Sequence, residues 1–175
     1  MKAKLIFLFL SLAVLPQPAR CGHTLSAEQR KVLGMWLGQH GTYRIARDAD
    51  CRCADSIQYM KDSYGAGVKA LADFHPYVVT GDFNGDGEED FAVAVVDRSK
   101  KTRSSAVLVF NGPLGPDTVL HPFIMTGLDL DHQALFFGPP ASKPYRLSIG
   151  YFESDYFVEI LPKGKTYRLK EADCH

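Results

Sequence analysis

From residue 77 onward, apolar residues tend to recur at every second position, which is the spacing of β-strands. Residues 91–96 are apolar at odd and even positions alike, so they predict an interior strand of a sheet covered on both faces. Further strands are predicted at residues 77–80, 106–110, 119–125, 133–137, 145–151, 156–161 and 166–169. Segments rich in glycine, proline or charge separate several of these strands, as in hairpin loops.

The segment before residue 77 has helical spacing instead. Ser26 and Gln29 form a capping box, which predicts a helix start. The apolar residues of this helix fall on one face: Leu33, Trp36 and Leu37. A second helix is predicted over residues 55–63. The pattern therefore predicts an α+β fold, with two N-terminal helices followed by a mostly antiparallel β-sheet or meander.

The composition is that of an ordinary globular chain, with 175 residues of which 46% are apolar. This length suits one domain with its own core. Lys and Arg together number 20, as do Asp and Glu, so no net charge points to nucleic acid or to an anionic membrane surface.

Residues 1–20 have the features of a secretory signal peptide. Lys2 and Lys4 make a basic start, and residues 5–15 form an apolar run too short to span a bilayer. Arg20 precedes Cys21 where lipoprotein signals carry a small residue, which argues against a lipid anchor. We therefore expect residues 21–175 to form a single secreted or periplasmic domain with no membrane span.

Export makes the cysteines interpretable. Cys21, Cys51, Cys53 and Cys174 form an even set, which predicts two disulfides in an oxidising compartment. A Cys51–Cys53 bond would close a small, strained ring, so the favoured pairings join Cys21 and Cys174 separately to Cys51 and Cys53. Either pairing would tie both chain ends to one loop and stabilise the fold by about 4 kcal/mol. The competing interpretation, a soft-metal site that adds His175, requires reduced thiols.

The densest charge lies in residues 82–90, which read DFNGDGEED and contain five acidic residues and no basic one. Gly85 and Gly87 impose a tight turn, so the carboxylates cannot move apart, and a divalent cation would relieve their repulsion. Calcium accepts about six to eight oxygen ligands in flexible geometry, whereas magnesium keeps its waters and requires a rigid octahedron. The loop therefore predicts bound Ca²⁺.

The predicted ligands are Asp82, Asn84, Asp86, Glu88 through its backbone carbonyl, and Asp90. An EF-hand is excluded, because Val93 stands at the twelfth position, where that loop needs a bidentate acid. The alternative is a hairpin turn rich in Asp and Asn that holds no metal. That alternative leaves the acids at every second position, and Asp90 as well, without an explanation.

Residues 81–94, GDFNGDGEEDFAVA, and the strand at 106–110 resemble an FG-GAP/VCBS-type repeat. The resemblance covers residues 77–112 and implies a calcium loop between two strands, with the ligands named above. In that family the repeats build a propeller, which needs about four or more blades. This chain has one clear unit, so a full propeller is not predicted. The resemblance also implies a protein or carbohydrate partner.

The remaining residues contain no recognised catalytic motif, such as a helical zinc site, a nucleophile elbow or a phosphate-binding loop. We therefore expect an exported, calcium-binding, non-catalytic module whose ion orders the β-hairpin at residues 77–96. The alternative is a small secreted hydrolase with a structural calcium and an active site near His121, Asp131 and His132. A cleft that gathers those side chains would favour the hydrolase. Residues 75–81 also resemble residues 121–127, either through duplication or by chance.

Overall fold

The computed structural model describes residues 22–63, 70–100, 104–115, 121–138, 143–152, 154 and 156–173. The predicted signal peptide, residues 1–20, lies outside them. The described elements are α1 (Ala27–Gln39), β1 (Tyr43–Ile45), a 3-10 turn (Asp48–Asp50), α2 (Ala54–Ser63), β2 (Val78–Gly81), β3 (Asp90–Asp97), β4 (Ser104–Phe110), β5 (Phe123–Thr126), β6 (Gln133–Phe136), β7 (Leu147–Tyr151), β8 (Tyr156–Lys163) and β9 (Thr166–Asp173).

The strands form two antiparallel sheets. In the first sheet, β2, β3, β4 and β5 pair in chain order, and in the second sheet β6, β7, β8 and β9 do the same. Strand β1 also joins β3. It pairs Tyr43 with Asp97, while β2 pairs Val78 with Val93, so the two short strands lie along different stretches of β3.

The predicted fold class was therefore wrong. The chain is mostly β, not α+β, and its helices are not an N-terminal pair that leads into one meander. Strand β1 lies between the helices in sequence and pairs with β3, more than forty residues later along the chain. The strands also divide between two sheets. Alternation along a strand reports which face is buried but does not say which sheet the strand joins.

The first sheet is covered on both faces. Every residue of β3 is buried, which confirms the prediction of an interior strand at residues 91–96. On one face, Leu33 and Trp36 of α1 pack in a cluster with Phe91 and Leu108. On the other face, side chains of the first sheet share a core with side chains of the second: Val79, Ala92, Val109, Leu135, Ile149 and Ile160. The order of layers is thus α1, first sheet, second sheet.

Helix α2 covers part of the second sheet. Ile57 and Met60 pack in a cluster with Phe74 and Ala134, and Phe136 lies against the same cluster. This places the Cys51–Cys53 loop, which leads into α2, beside the second sheet. Among the described residues, no helix is long and apolar enough to cross a membrane.

The capping box predicted for α1 is confirmed. Ser26 Oγ accepts a hydrogen bond from Gln29 N at 3.2 Å, and Ser26 N donates to Gln29 Oε1 at 2.8 Å. The buried Gln29 side chain also donates from Nε2 to Glu89 Oε2 at 3.3 Å. One residue therefore fixes the start of α1 and links it to the acidic loop.

The two similar segments do not occupy equivalent places. Residues 78–81 form β2, which pairs with β3 at the start of the first meander. Residues 123–126 form β5, which pairs with β4 at the end of that meander. The chain then passes into the second sheet, so the resemblance between the two segments does not mark two copies of one structural unit.

Candidate metal centre

The acidic loop joins β2 to β3 as a hairpin. Its last paired residues are Gly81 and Asp90, so residues 82–89 form the connection. Gly85 and Gly87 have φ angles of 80° and 91°, in the region that favours glycine. These two residues let the backbone curl so that the N–H groups on one side of the loop face the acidic side chains.

Three of the predicted ligands lie together within this curl. Asp82 Oδ1 accepts from Gly85 N at 2.7 Å, and Asp82 Oδ2 accepts from Gly87 N at 3.0 Å. Asp86 Oδ2 accepts from Asn84 Nδ2 at 2.9 Å. The side-chain oxygens are therefore bonded inside the loop, as in an Asp- and Asn-rich turn. The Asp82, Asn84 and Asp86 oxygens form one polar group at the tip of the hairpin.

Asp90 lies beneath this group and is completely buried. Its Oδ2 accepts from Phe83 N at 2.7 Å, and its Oδ1 accepts from Gly112 N at 2.8 Å. Burial raises the pKa of Asp90 to about 6, and the charge of Asp86 adds to the shift, while the backbone hydrogen bonds oppose it. Within the described residues, no lysine, arginine or histidine forms an ion pair with Asp90.

Gly112, which follows β4, approaches the loop so closely that a side chain would not fit. A Cβ atom at this position would lie 2.8 Å from Glu88 Cβ and 3.0 Å from Glu89 O. This close approach brings the Gly112 N–H to Asp90. The glycine therefore connects the acidic loop to the end of a strand that is distant in sequence.

Burial and the negative charge of the loop both raise the pKa of Tyr167, a residue of β9. Burial raises the pKa of its hydroxyl, and the carboxylates of Asp90, Asp86 and Asp82 raise it further. The Tyr167 hydroxyl donates a hydrogen bond to Asn111 Oδ1. The three carboxylates thus act together on a neighbouring group. No local pattern signals the contributions of Tyr167, Gly112 or Gln29, because each comes from another part of the chain.

The loop has side chains of the type that bind a hard cation, but these side chains are not arranged as a complete metal-binding site. The side-chain donors are oxygens only, from three carboxylates and one amide, and calcium prefers such ligands. Within the described part of the chain, no three acidic, histidine or cysteine side chains converge as a metal-binding group. The carboxylate oxygens of Asp82 and Asp86 accept hydrogen bonds from backbone N–H groups of the loop and keep further lone pairs for an ion. Glu88 offers its N–H to Asp86 Oδ1 at 2.9 Å, and ligation through its carbonyl stays a prediction.

The cysteine loop brings two of the four cysteines together. The sulfur atoms of Cys51 and Cys53 are in bonding contact, and their Cα atoms lie 5.1 Å apart. This is the pairing that the small-ring argument disfavoured. Cys21 and Cys174 lie outside the described residues, so their predicted bonds to this loop stay a prediction.

A cavity of about 450 Å³ opens beside the cysteine loop. Asp131 and His132, two of the three residues of the hydrolase alternative, line it together with Tyr151. His132 Nδ1 lies 2.9 Å from Asp129 Oδ2, which makes an imidazole–carboxylate pair at this cavity. His121 is exposed ahead of β5 and does not line the cavity.

Comparisons of this chain with protein families, with curated proteins and with solved structures find no match. The function proposed below therefore rests on the residues and geometry of the chain itself.

Proposed function

We propose that this chain is an exported, non-catalytic module, secreted or periplasmic, that binds calcium through the loop between β2 and β3. The observation that carries the proposal is the buried Asp90 carboxylate, which has no cationic partner in the described residues and lies next to the loop acids. Asp82, Asn84 and Asp86 supply further oxygens above it. Export and the resemblance to an FG-GAP/VCBS-type repeat are expectations from the sequence that point the same way.

The electrostatic argument concerns what could offset the charge. A carboxylate removed from water is costly unless a cation or strong hydrogen bonds compensate for it. Two backbone N–H groups stabilise Asp90, yet the pKa remains raised to about 6, so that compensation is incomplete. A divalent ion beside Asp82, Asp86 and Asp90 would lower the repulsion among all three carboxylates.

The proposed role of the ion is to order the hairpin and its attachments. Asp90 holds Gly112 at the end of β4, and Glu89 holds Gln29 at the start of α1. A loop fixed by calcium would therefore stiffen one end of the first sheet and α1 together. A protein or carbohydrate partner at this end is the further expectation that the repeat resemblance supplies.

Calcium should raise the thermal stability of the protein. At roughly millimolar calcium and a dissociation constant on the order of 0.1 mM, binding adds about 1.4 kcal/mol to the free energy of unfolding. For a chain of this size, that corresponds to a rise in Tm of about 3 to 6 °C. Calorimetry of the mature protein in calcium and in chelator measures the shift.

Two loop variants make this test specific. Asp86→Ala removes a predicted ligand and should abolish the calcium-dependent shift. Glu88→Gln alters an exposed side chain of the same loop but keeps the backbone carbonyl, so it should retain most of the shift. An unchanged Tm of the wild type in calcium, or an equal shift in Asp86→Ala, would contradict the proposed site.

The cavity favours one second candidate, a small secreted hydrolase in which calcium is structural. His132, paired with Asp129 at 2.9 Å, could act there as a general base. Such an enzyme should cleave at least one substrate in a panel of esters, peptides and glycosides, and His132→Ala should lower the rate by about a hundredfold or more. If the purified protein cleaves none of the panel, or His132→Ala cleaves at the wild-type rate, this candidate fails.

A further inference from the structure

The loop Cys51-Arg52-Cys53 combines three features that the calcium proposal does not use. The first is the bonded sulfur pair itself, separated by one residue. A disulfide with this spacing closes a small ring, and strained disulfides are reduced more easily than relaxed ones. The spacing therefore favours an exchangeable bond over a structural staple.

The second feature is the position of the pair at the start of α2. Ile57 N donates to the Cys53 carbonyl at 3.0 Å, so Cys53 is the N-cap residue directly before α2. The N-terminus of a helix stabilises a negative charge, and a thiolate at this position gains from it. Cys53 N also donates to Cys51 Sγ at 2.7 Å. Cys51 Sγ thus accepts a backbone N–H, and Cys53 lies at the N-terminus of α2, where the helix dipole favours a thiolate, with its Sγ 3.9 Å from Leu130 O.

The third feature is access from solvent. Arg52 and Cys53 line the cavity of about 450 Å³ beside α2. Asp131 Oδ1 accepts from Arg52 N at 2.9 Å and fixes the loop against the other wall of that cavity. Cys53 lines this cavity but is only 6% exposed, whereas Cys51, which does not line it, is half-buried and is the more exposed residue of the pair.

We propose that Cys51 and Cys53 form a thiol–disulfide exchange site that oxidises dithiols of exported peptides or proteins, with the adjacent cavity receiving the substrate chain. The substrate thiolate attacks Cys51 Sγ, the Cys51–Cys53 bond breaks, and Cys53 leaves as a thiolate at the start of α2. The second substrate thiolate then attacks the substrate sulfur of the mixed disulfide, and Cys51 leaves. The substrate loses two electrons and two protons, and the pair becomes a dithiol.

This inference does not depend on calcium and can be tested in chelator. It competes directly with the predicted pairing of Cys51 and Cys53 to the chain ends. Peptide mapping of the exported full chain, without reduction, should recover one peptide in which Cys51 is bonded to Cys53. Recovery of Cys51 and Cys53 bonded to Cys21 and Cys174 would overturn the proposal.

The exchange itself is measured with glutathione as the probe. In glutathione buffers of stepped composition, alkylation and mass measurement should show the pair passing between disulfide and dithiol as one two-electron unit, because structural disulfides resist this reductant. The Cys21→Ser/Cys174→Ser double variant should behave in the same way. A pair that stays oxidised in all these buffers, or a double variant that no longer exchanges, would overturn the proposal.

Single variants test the order of attack. With oxidised glutathione, Cys53→Ser should trap a mixed disulfide on Cys51, whereas Cys51→Ser should react at Cys53 about tenfold more slowly because Cys53 is buried. Circular dichroism of both variants establishes that they are folded before rates are compared. Equal rates in two folded variants would contradict the assigned order.

Discussion

Replacing Trp36 with alanine is expected to lower the free energy of unfolding by about 3 to 5 kcal/mol. Trp36 is 2% exposed and belongs to the cluster that joins α1 to Phe91 and Leu108 of the first sheet. Its ring stacks on His40 with a centroid distance of 4.1 Å and also contacts Tyr43 of β1. Alanine would leave a large cavity between the helix and the sheet. Chemical denaturation of wild type and variant measures the loss.

The neighbouring residue provides a matched control. Met35 lies on the same turn of α1 but is 42% exposed, so Met35→Ala should change the free energy of unfolding by less than about 0.5 kcal/mol. A small effect of Trp36→Ala, or similar effects of the two variants, would mean that α1 does not cover the first sheet as described.

Local patterns predicted the elements well because each signal is contained in a short stretch. The capping box at Ser26 and the alternation at residues 91–96 report, respectively, a helix start and a strand covered on both faces. The predicted helix at residues 55–63 corresponds to α2, Ala54–Ser63. These features depend on backbone geometry and on burial, both of which leave a period in the sequence.

The fold class was mispredicted because it depends on contacts between distant residues. Tyr43–Ile45 is only three residues long and sits between helices, so alternation there is too short to be recognised. Its pairing with β3 is set by the edge that β2 leaves uncovered. The division of eight later strands into two sheets is likewise decided by packing, as in the shared core of Val79 and Leu135.

The candidate site shows the same division. The loop, its glycines and the hairpin could be predicted from residues 82–90, because turn chemistry is local. The partners of the loop could not, since Gly112, Gln29 and Tyr167 reach it from β4, α1 and β9. The sequence pattern also does not show that Asp90 is completely buried, or that its two carboxylate oxygens accept hydrogen bonds from two backbone N–H groups.

In chelator, the stability of the wild type relative to Asp90→Asn should fall by about 2 kcal/mol between pH 4 and pH 7. Burial raises the pKa of Asp90 from 3.8 to about 6, so the folded protein holds a proton over a range in which the unfolded chain has lost it. The stability that this proton contributes is fully present below pH 3.8 and is lost as the pH rises through about 6. Denaturation at stepped pH values measures the difference between the two proteins.

The asparagine variant separates this effect from the loss of a hydrogen bond. Asparagine has one acceptor oxygen in its side chain where aspartate has two. Either Phe83 N or Gly112 N therefore loses its hydrogen-bond acceptor, at a cost of about 1 to 3 kcal/mol. This cost is the same at every pH. Only the pH-dependent part reports the titration of Asp90. Parallel curves for wild type and variant across this range would show that the carboxyl titrates normally.

Calcium should weaken this pH dependence, and the difference between the two conditions distinguishes a metal site from a turn that holds no metal. A bound ion favours the ionised carboxylate, so in millimolar calcium the fall in stability of the wild type relative to Asp90→Asn from pH 4 to pH 7 should shrink by about 1.4 kcal/mol. Glu88→Gln, which removes an exposed charge from the same loop, should follow the wild type in both conditions. If calcium leaves the difference between wild type and Asp90→Asn unchanged, Asp90 serves only to hold the backbone N–H groups of Phe83 and Gly112.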